Sequence, residues 1–93
     1  MRPETGARSG PPETQVTIRY FAGARAAAGR AEENAAGRTL DEVLDDLVVR
    51  HGDRLARVLR AASFLVDGVT CHDRRTPLPA GATIDVLPPF AGG

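Results

Sequence analysis

The stretch TLDEVLDDLVVRH, Thr39 to His51, limits most strongly what this chain can become. Thr39 and Glu42 have capping-box spacing, in which the hydroxyl and the glutamate each satisfy an otherwise unpaired backbone N–H at a helix start. Leu40, Val43, Leu44, Leu47 and Val48 then recur at the spacing of a single buried stripe. Asp41, Glu42, Asp45 and Asp46 lie at its beginning, where negative charge complements the helix dipole, and Arg50 and His51 close it before Gly52. His51 reads as a C-terminal helix cation rather than a catalytic base. A helix with one apolar stripe has to bury it, so the other segments must supply a facing apolar surface.

Two segments do so clearly. QVTIRYF, Gln15 to Phe21, alternates, with Val16, Ile18 and Tyr20 on one side and Thr17, Arg19 and Phe21 on the other; TIDVL, Thr83 to Leu87, alternates again. These two strands are expected to pair at the centre of one mixed sheet. AGARAAAGR, Ala22 to Arg30, is punctuated by glycine and reads as a turn or a single helical turn. RAEENAAG, Arg30 to Gly37, has helix or loop propensity. In DRLARVLRAA, Leu55, Val58, Leu59 and Ala62 share one side, as in a short second helix. Asp67-Gly68 signals a hairpin, and RRTPLPAGA, Arg74 to Ala82, reads as loop. The order fits an α+β fold, a mixed sheet packed on one main helix. Residues 1–14 are rich in proline, glycine and charge and read as a disordered leader, with a folded domain over 15–87 and an extended tail over 88–93.

Twelve basic residues, all arginine, balance twelve acidic ones, so no net field draws the molecule to nucleic acid or to an anionic membrane. The single Cys71 excludes an internal disulfide, and no apolar run is long enough to span a bilayer. A cytoplasmic protein with a protein or small-molecule partner is expected. Cys71, His72 and Asp73 have the residue types of a catalytic triad, but adjacent strand residues face opposite ways, and the chain lacks a second ligand pair at metal spacing. No catalytic group and no metal site are expected. Arg74-Arg75 reads as a solvated loop pair, and Arg25 and Arg38 read individually as solvated charges.

The chain ends in LPPFAGG. Terminal Gly92 and Gly93 add no burial and cost the most entropy to order, so their use lies outside the domain. Leu87 to Gly93 can extend at most roughly 23–25 Å, enough to carry a terminal carboxylate deep into a partner. Pro88 and Pro89 hold the base of the tail extended, which reduces the entropy lost on insertion. An apolar patch near the tail is the best interface candidate: Phe21 first, then Leu87 and Phe90.

IRYFAGAR at Ile18 to Arg25, VDG before a Pro-Leu loop, and VLPPFAGG at Val86 to Gly93 resemble the MoaD/ThiS-type ubiquitin-like sulfur carriers, most of all the small subunit of molybdopterin synthase. The resemblance covers about Val16 to Gly93 and implies a β-grasp fold, which makes RAEENAAG the second strand. It further implies that the carrier has no catalysis of its own. The Gly93 carboxylate would be adenylated by a ubiquitin-activating-like adenylyltransferase using ATP, no cofactor being held by the carrier, and then converted to a thiocarboxylate. Gly92, Ala91, Phe90, Pro89 and Pro88 would enter a partner's tunnel, with Phe21, Leu87 and Arg25 at the interface and the molybdopterin synthase large subunit as acceptor. A carrier for thiamine, cysteine or a secondary metabolite, a ubiquitin-like protein modifier, and a plain interaction domain are the alternatives.

Overall fold

In a computed structural model that describes residues 14–89, the two clear strands, β1 (Gln15–Tyr20) and the last strand, β5 (Thr83–Leu87), lie side by side and parallel. Thr17 pairs with Thr83, Ile18 with Ile84, Arg19 with Asp85 and Tyr20 with Val86. Between them in sequence come α1 (Gly23–Ala28), β2 (Glu32–Ala36), α2 (Leu40–His51), α3 (Asp53–Ala61), β3 (Ser63–Val66) and β4 (Val69–Thr70). The sheet runs β2-β1-β5-β3-β4, and every neighbouring pair except β1–β5 is antiparallel.

One face of the sheet makes the core. Val16, Ile18 and Tyr20 from β1, Ile84 and Val86 from β5, Phe64 from β3 and Ala35 from β2 are all buried. The stripe read from the sequence meets them: Leu40, Val43, Leu44 and Leu47 are buried, and Val48 is partly so. Sequestering such side chains is worth about 1.5–3 kcal/mol each, which favours this one arrangement of helix on sheet. The helical layer is more than one helix. Leu55 and Leu59 of α3 and Ala24 and Ala28 of α1 are also buried, and α1 packs on α3.

Several local readings meet the structure directly. Asp67 (φ 50°) and Gly68 (φ 84°) form the tight reversal between β3 and β4, the left-handed pair that a two-residue hairpin requires. Thr39 caps α2, its hydroxyl accepting from the Glu42 N–H at 3.2 Å, while the Glu42 carboxylate reaches one residue further back and accepts from the Arg38 N–H at 2.8 Å. The loop after β4 completes this cap. The carbonyls of Thr76 and Arg74 accept from the Leu40 and Asp41 N–H groups at 3.3 and 2.7 Å, and Leu78 is buried beneath it. Just before β1 the Thr14 carbonyl accepts from the Gly37 N–H at 2.9 Å.

Gly37, at the end of β2, sits where the strand meets the first turn of α2. A Cβ there would lie 2.7 Å from the Val43 backbone nitrogen and 2.8 Å from its Cγ2. Backbone cannot swing aside as a long side chain can, so Gly37→Ala is expected to cost about 1–3 kcal/mol through overpacking. Urea unfolding of the variant measures this, and an unchanged midpoint would refute the tight contact.

Candidate functional site: the tail-bearing end of the sheet

Because β1 and β5 are parallel and in register, the residues following both strands emerge at the same end. The Phe21 N–H extends the ladder by one bond, donating to the Val86 carbonyl at 3.3 Å. This brings Phe21 beside Leu87, and both are half-buried. Pro88 is half-buried and Pro89 exposed as the chain leaves the sheet. Phe90, Ala91, Gly92 and Gly93 lie outside the described residues.

Arg25, the other expected interface residue, is exposed on α1 and shares with Arg19, Tyr20, Phe21, Ala31 and Glu32 an open hollow of about 220 Å³. The strand-to-helix turn that places it is unusual. Ala22 has φ 50° and ψ −125°, a region in which a side chain is strained, and it serves as the N-cap of α1 without a side-chain hydrogen bond.

Two residues that the sequence reading left out enter this site through the register. Arg19 and Asp85 are opposite each other on the open face, and the Arg19 Nε lies 2.9 Å from the Asp85 Oδ1. The contact is an ion pair rather than an aligned hydrogen bond, since that oxygen has no hydrogen-bond partner among the described residues. The Arg19 guanidinium also stands 5.6 Å from the Phe21 ring centre, a cation–π distance that steadies the ring. Their signal in the sequence was their shared position in two alternating strands, legible only once the register is known.

Elsewhere the candidate chemistry dissolves. The Cys71 thiol faces the Asp73 backbone carbonyl at 3.4 Å, and the Asp73 carboxylate accepts from the Arg75 N–H at 2.9 Å. That backbone hydrogen bond, aided by the Arg75 charge, holds the Asp73 carboxyl below its ordinary range. The carboxylate thus serves its own turn and no base. Among the described residues no three His, Cys, Asp or Glu side chains are grouped to hold a metal, and no helix is long and apolar enough to cross a membrane. Arg74 corrects the expectation of a solvated pair. Its guanidinium lies 5.2 Å from the Phe64 ring centre and donates to the Leu59 carbonyl at 3.0 Å, closing the end of α3, whereas Arg75 is exposed.

His51 ends α2 as expected but does more there than complement a dipole. Its Nε2 lies 2.6 Å from the Glu33 Oε2, which also accepts from the Tyr20 O–H at 2.5 Å, while the Arg50 Nη1 donates to the Glu33 Oε1 at 3.1 Å. Glu33 stands opposite Ile18 and points to the core face, its side chain only 4% exposed. Burial acts to raise its carboxyl, but hydrogen bonds from Tyr20, His51 and Arg50 outweigh this and hold it below the usual carboxylate value. The Tyr20 hydroxyl is pushed well above its usual range by burial and by that carboxylate.

A five-stranded mixed sheet of this order, with helices across one face and a central last strand leading to the C-terminus, defines a β-grasp, ubiquitin-like protein. The chain belongs to the ThiS family, whose model matches residues 18–93, and it is thereby a ubiquitin-like protein of the sulfur-carrier and modifier type. Small carriers of this type are not themselves catalysts. Solved structures agree on the fold. Small archaeal modifier protein 1 from Methanosarcina acetivorans superposes with a TM-score of 0.77 at 24% identity, over 89% of this chain and 100% of that one. A chain of the BexX/CysO complex from Amycolatopsis orientalis gives 0.69 at 26%, over 84% and 99%. A chain of the complex of molybdopterin-converting factor subunits 1 and 2 from Helicobacter pylori gives 0.65 at 21%, over 86% and 100%. A comparison with curated proteins finds no match.

Proposed function

We propose that this protein carries sulfur as a C-terminal thiocarboxylate on Gly93 and delivers it in molybdopterin synthesis. The observation that carries the reading is the family match running to residue 93, through Gly92 and Gly93, on a chain whose central strand ends beside Phe21. A carboxylate resists nucleophiles because of its charge. An adenylyltransferase of the ubiquitin-activating kind, spending ATP, would join it to AMP, and a sulfur nucleophile would then displace AMP to leave the thiocarboxylate. Glycine at both terminal positions spares the partner's tunnel a Cβ, and the fixed φ of Pro88 and Pro89 restricts the conformations open to the root of the tail, which lowers the entropy lost on insertion. The molybdopterin reading rests on YFAGAR and PPFAGG together with the likeness to molybdopterin-converting factor subunit 1, and the large synthase subunit is the partner it implies. The likeness to the BexX/CysO complex supports a second reading, in which the same thiocarboxylate feeds another sulfur-inserting enzyme.

Intact mass of the protein from cells that hold its activating system tests the chemistry. A gain equal to one oxygen exchanged for sulfur is expected, and an unshifted mass beside an active adenylyltransferase would overturn it. Recovery of the synthase large subunit with the thiocarboxylated protein would choose the first acceptor over the second.

The hollow at Phe21 adds a prediction. A half-buried aromatic at the mouth of the tail has the character of an interface anchor, whose truncation typically costs about 2 kcal/mol, roughly 30-fold in affinity. Phe21→Ala is expected to weaken binding to the adenylyltransferase by that factor with the melting transition nearly unchanged. Calorimetric titration reads it, and undiminished affinity would remove Phe21 from the interface.

A further inference from the structure

A strand at the edge of a sheet offers unpaired N–H and C=O groups to any other strand, and β2 is such an edge. The pairing with β1 shows which groups are free. Tyr20 donates to the Ala31 carbonyl and Gly37 to the Thr14 carbonyl, so odd-numbered residues of this segment turn their backbone toward β1. By alternation Glu32, Asn34 and Ala36 turn theirs outward.

Two of these outward groups are already taken, and by side chains of α2. The Arg50 Nη1 donates to the Asn34 carbonyl at 2.7 Å, and the Ala36 N–H donates to the Asp46 Oδ2 at 3.2 Å. Arg50 and Asp46, one helical turn apart, are joined to each other at 2.7 Å. One ion pair therefore supplies the donor and the acceptor that an incoming strand would supply. Beside it lies an open groove of about 460 Å³ between β2 and α2, lined by Ala36, Gly37, Asp46 and Val49, where Val49 is 84% exposed.

We propose that the β2 edge is a self-pairing surface and that the Asp46–Arg50 pair keeps it closed, holding the protein monomeric. The occupant it fits is β2 of a second copy. An antiparallel pairing centred on Asn34 sets Glu32 against Ala36 and Glu33 against Ala35, so no like charges face each other across the seam. In that register the bonded positions are Glu32, Asn34 and Ala36, and the bonds need the Asn34 carbonyl and the Ala36 N–H, the two groups that Arg50 and Asp46 occupy. Plug and partner strand exclude one another. This inference is independent of the sulfur chemistry.

Sedimentation equilibrium of the full chain tests it. The wild type is expected to be a monomer at sub-millimolar concentration, and the Asp46→Ala/Arg50→Ala double variant a monomer–dimer equilibrium with Kd on the order of 10⁻⁴ M, in keeping with a small interface. Adding Asn34→Pro removes an outward N–H that β1 does not use, and is expected to restore the monomer. A folded double variant that stays monomeric, a wild type that already dimerises, or a dimer that survives Asn34→Pro would each overturn the assignment. Arg50 also bonds Glu33, so amide exchange on the wild type supplies a second reading that needs no substitution. The Ala36 amide is expected to exchange more slowly than the outward Asn34 amide, and equal rates would overturn the plug.

Discussion

Deletion of Gly93 is expected to abolish sulfur transfer while leaving the fold and its melting transition unchanged. Gly93 is six positions beyond Leu87, where β5 ends. Its removal moves the terminal carboxylate back by about 3.3–3.6 Å, the reach of one extended residue. Adenylation needs reacting atoms within about 3–3.5 Å, and a misplacement of 1 Å alone can cost about 100-fold. A loss of more than that is therefore expected in single-turnover adenylation, with no gain of sulfur in the intact mass. Gly93→Ala separates length from width: it keeps the reach but adds a Cβ, and an intermediate rate would show that the tunnel is narrow. A truncated chain that still accepts sulfur would end the proposal.

The second large effect concerns Glu33 on β2. Glu33→Ala would leave the buried Tyr20 hydroxyl without its acceptor and the half-buried His51 without its partner. Removing one member of a buried charged network typically costs about 3–5 kcal/mol. The exposure of Arg50 argues for the lower end, about 3 kcal/mol, or roughly 15 °C in Tm for a domain of this size. Glu33→Gln keeps the shape and the Tyr20 bond and should cost about half as much. The sign of the pH dependence follows from the depressed carboxyl. A folded-state value below the ordinary 4.5 means that ionised Glu33 stabilises the fold above about that pH, and that the contribution is lost as pH falls through the folded value. The gap in urea-unfolding free energy between wild type and Glu33→Gln should therefore narrow as pH drops below 4.5. A gap independent of pH would show that the charge does not stabilise the fold.

Glu33 also explains why β2 carries little strand signal of its own. EENAA has two glutamates and two alanines, none of which favours a strand, and only the resemblance made it one. In the fold its inward positions are Glu33 and Ala35, and the strand is held by partners distant in sequence: Tyr20 on β1, His51 and Arg50 at the end of α2, and the β1 ladder itself. No window along the chain contains those partners. The same holds for Arg74, which looked like a loop cation until Phe64 and the end of α3 were placed beneath it.

The sequence by itself determined the elements whose reasons are local. The Thr39 cap and the apolar stripe of α2, the alternation of β1 and β5, the Asp67-Gly68 reversal and the terminal glycines each carry their cause within a few residues, and they sufficed to expect an α+β sheet on a helix with its chemistry at the tail. Only the tertiary structure decided the rest: that β1 and β5 run parallel in a register that sets Phe21 beside Leu87 and Arg19 against Asp85, that a glutamate faces inward from β2, and that Asp46 and Arg50 close the sheet's edge. These are pairings between residues far apart in the chain, and their energies exist only when the backbone has brought both partners out of water together.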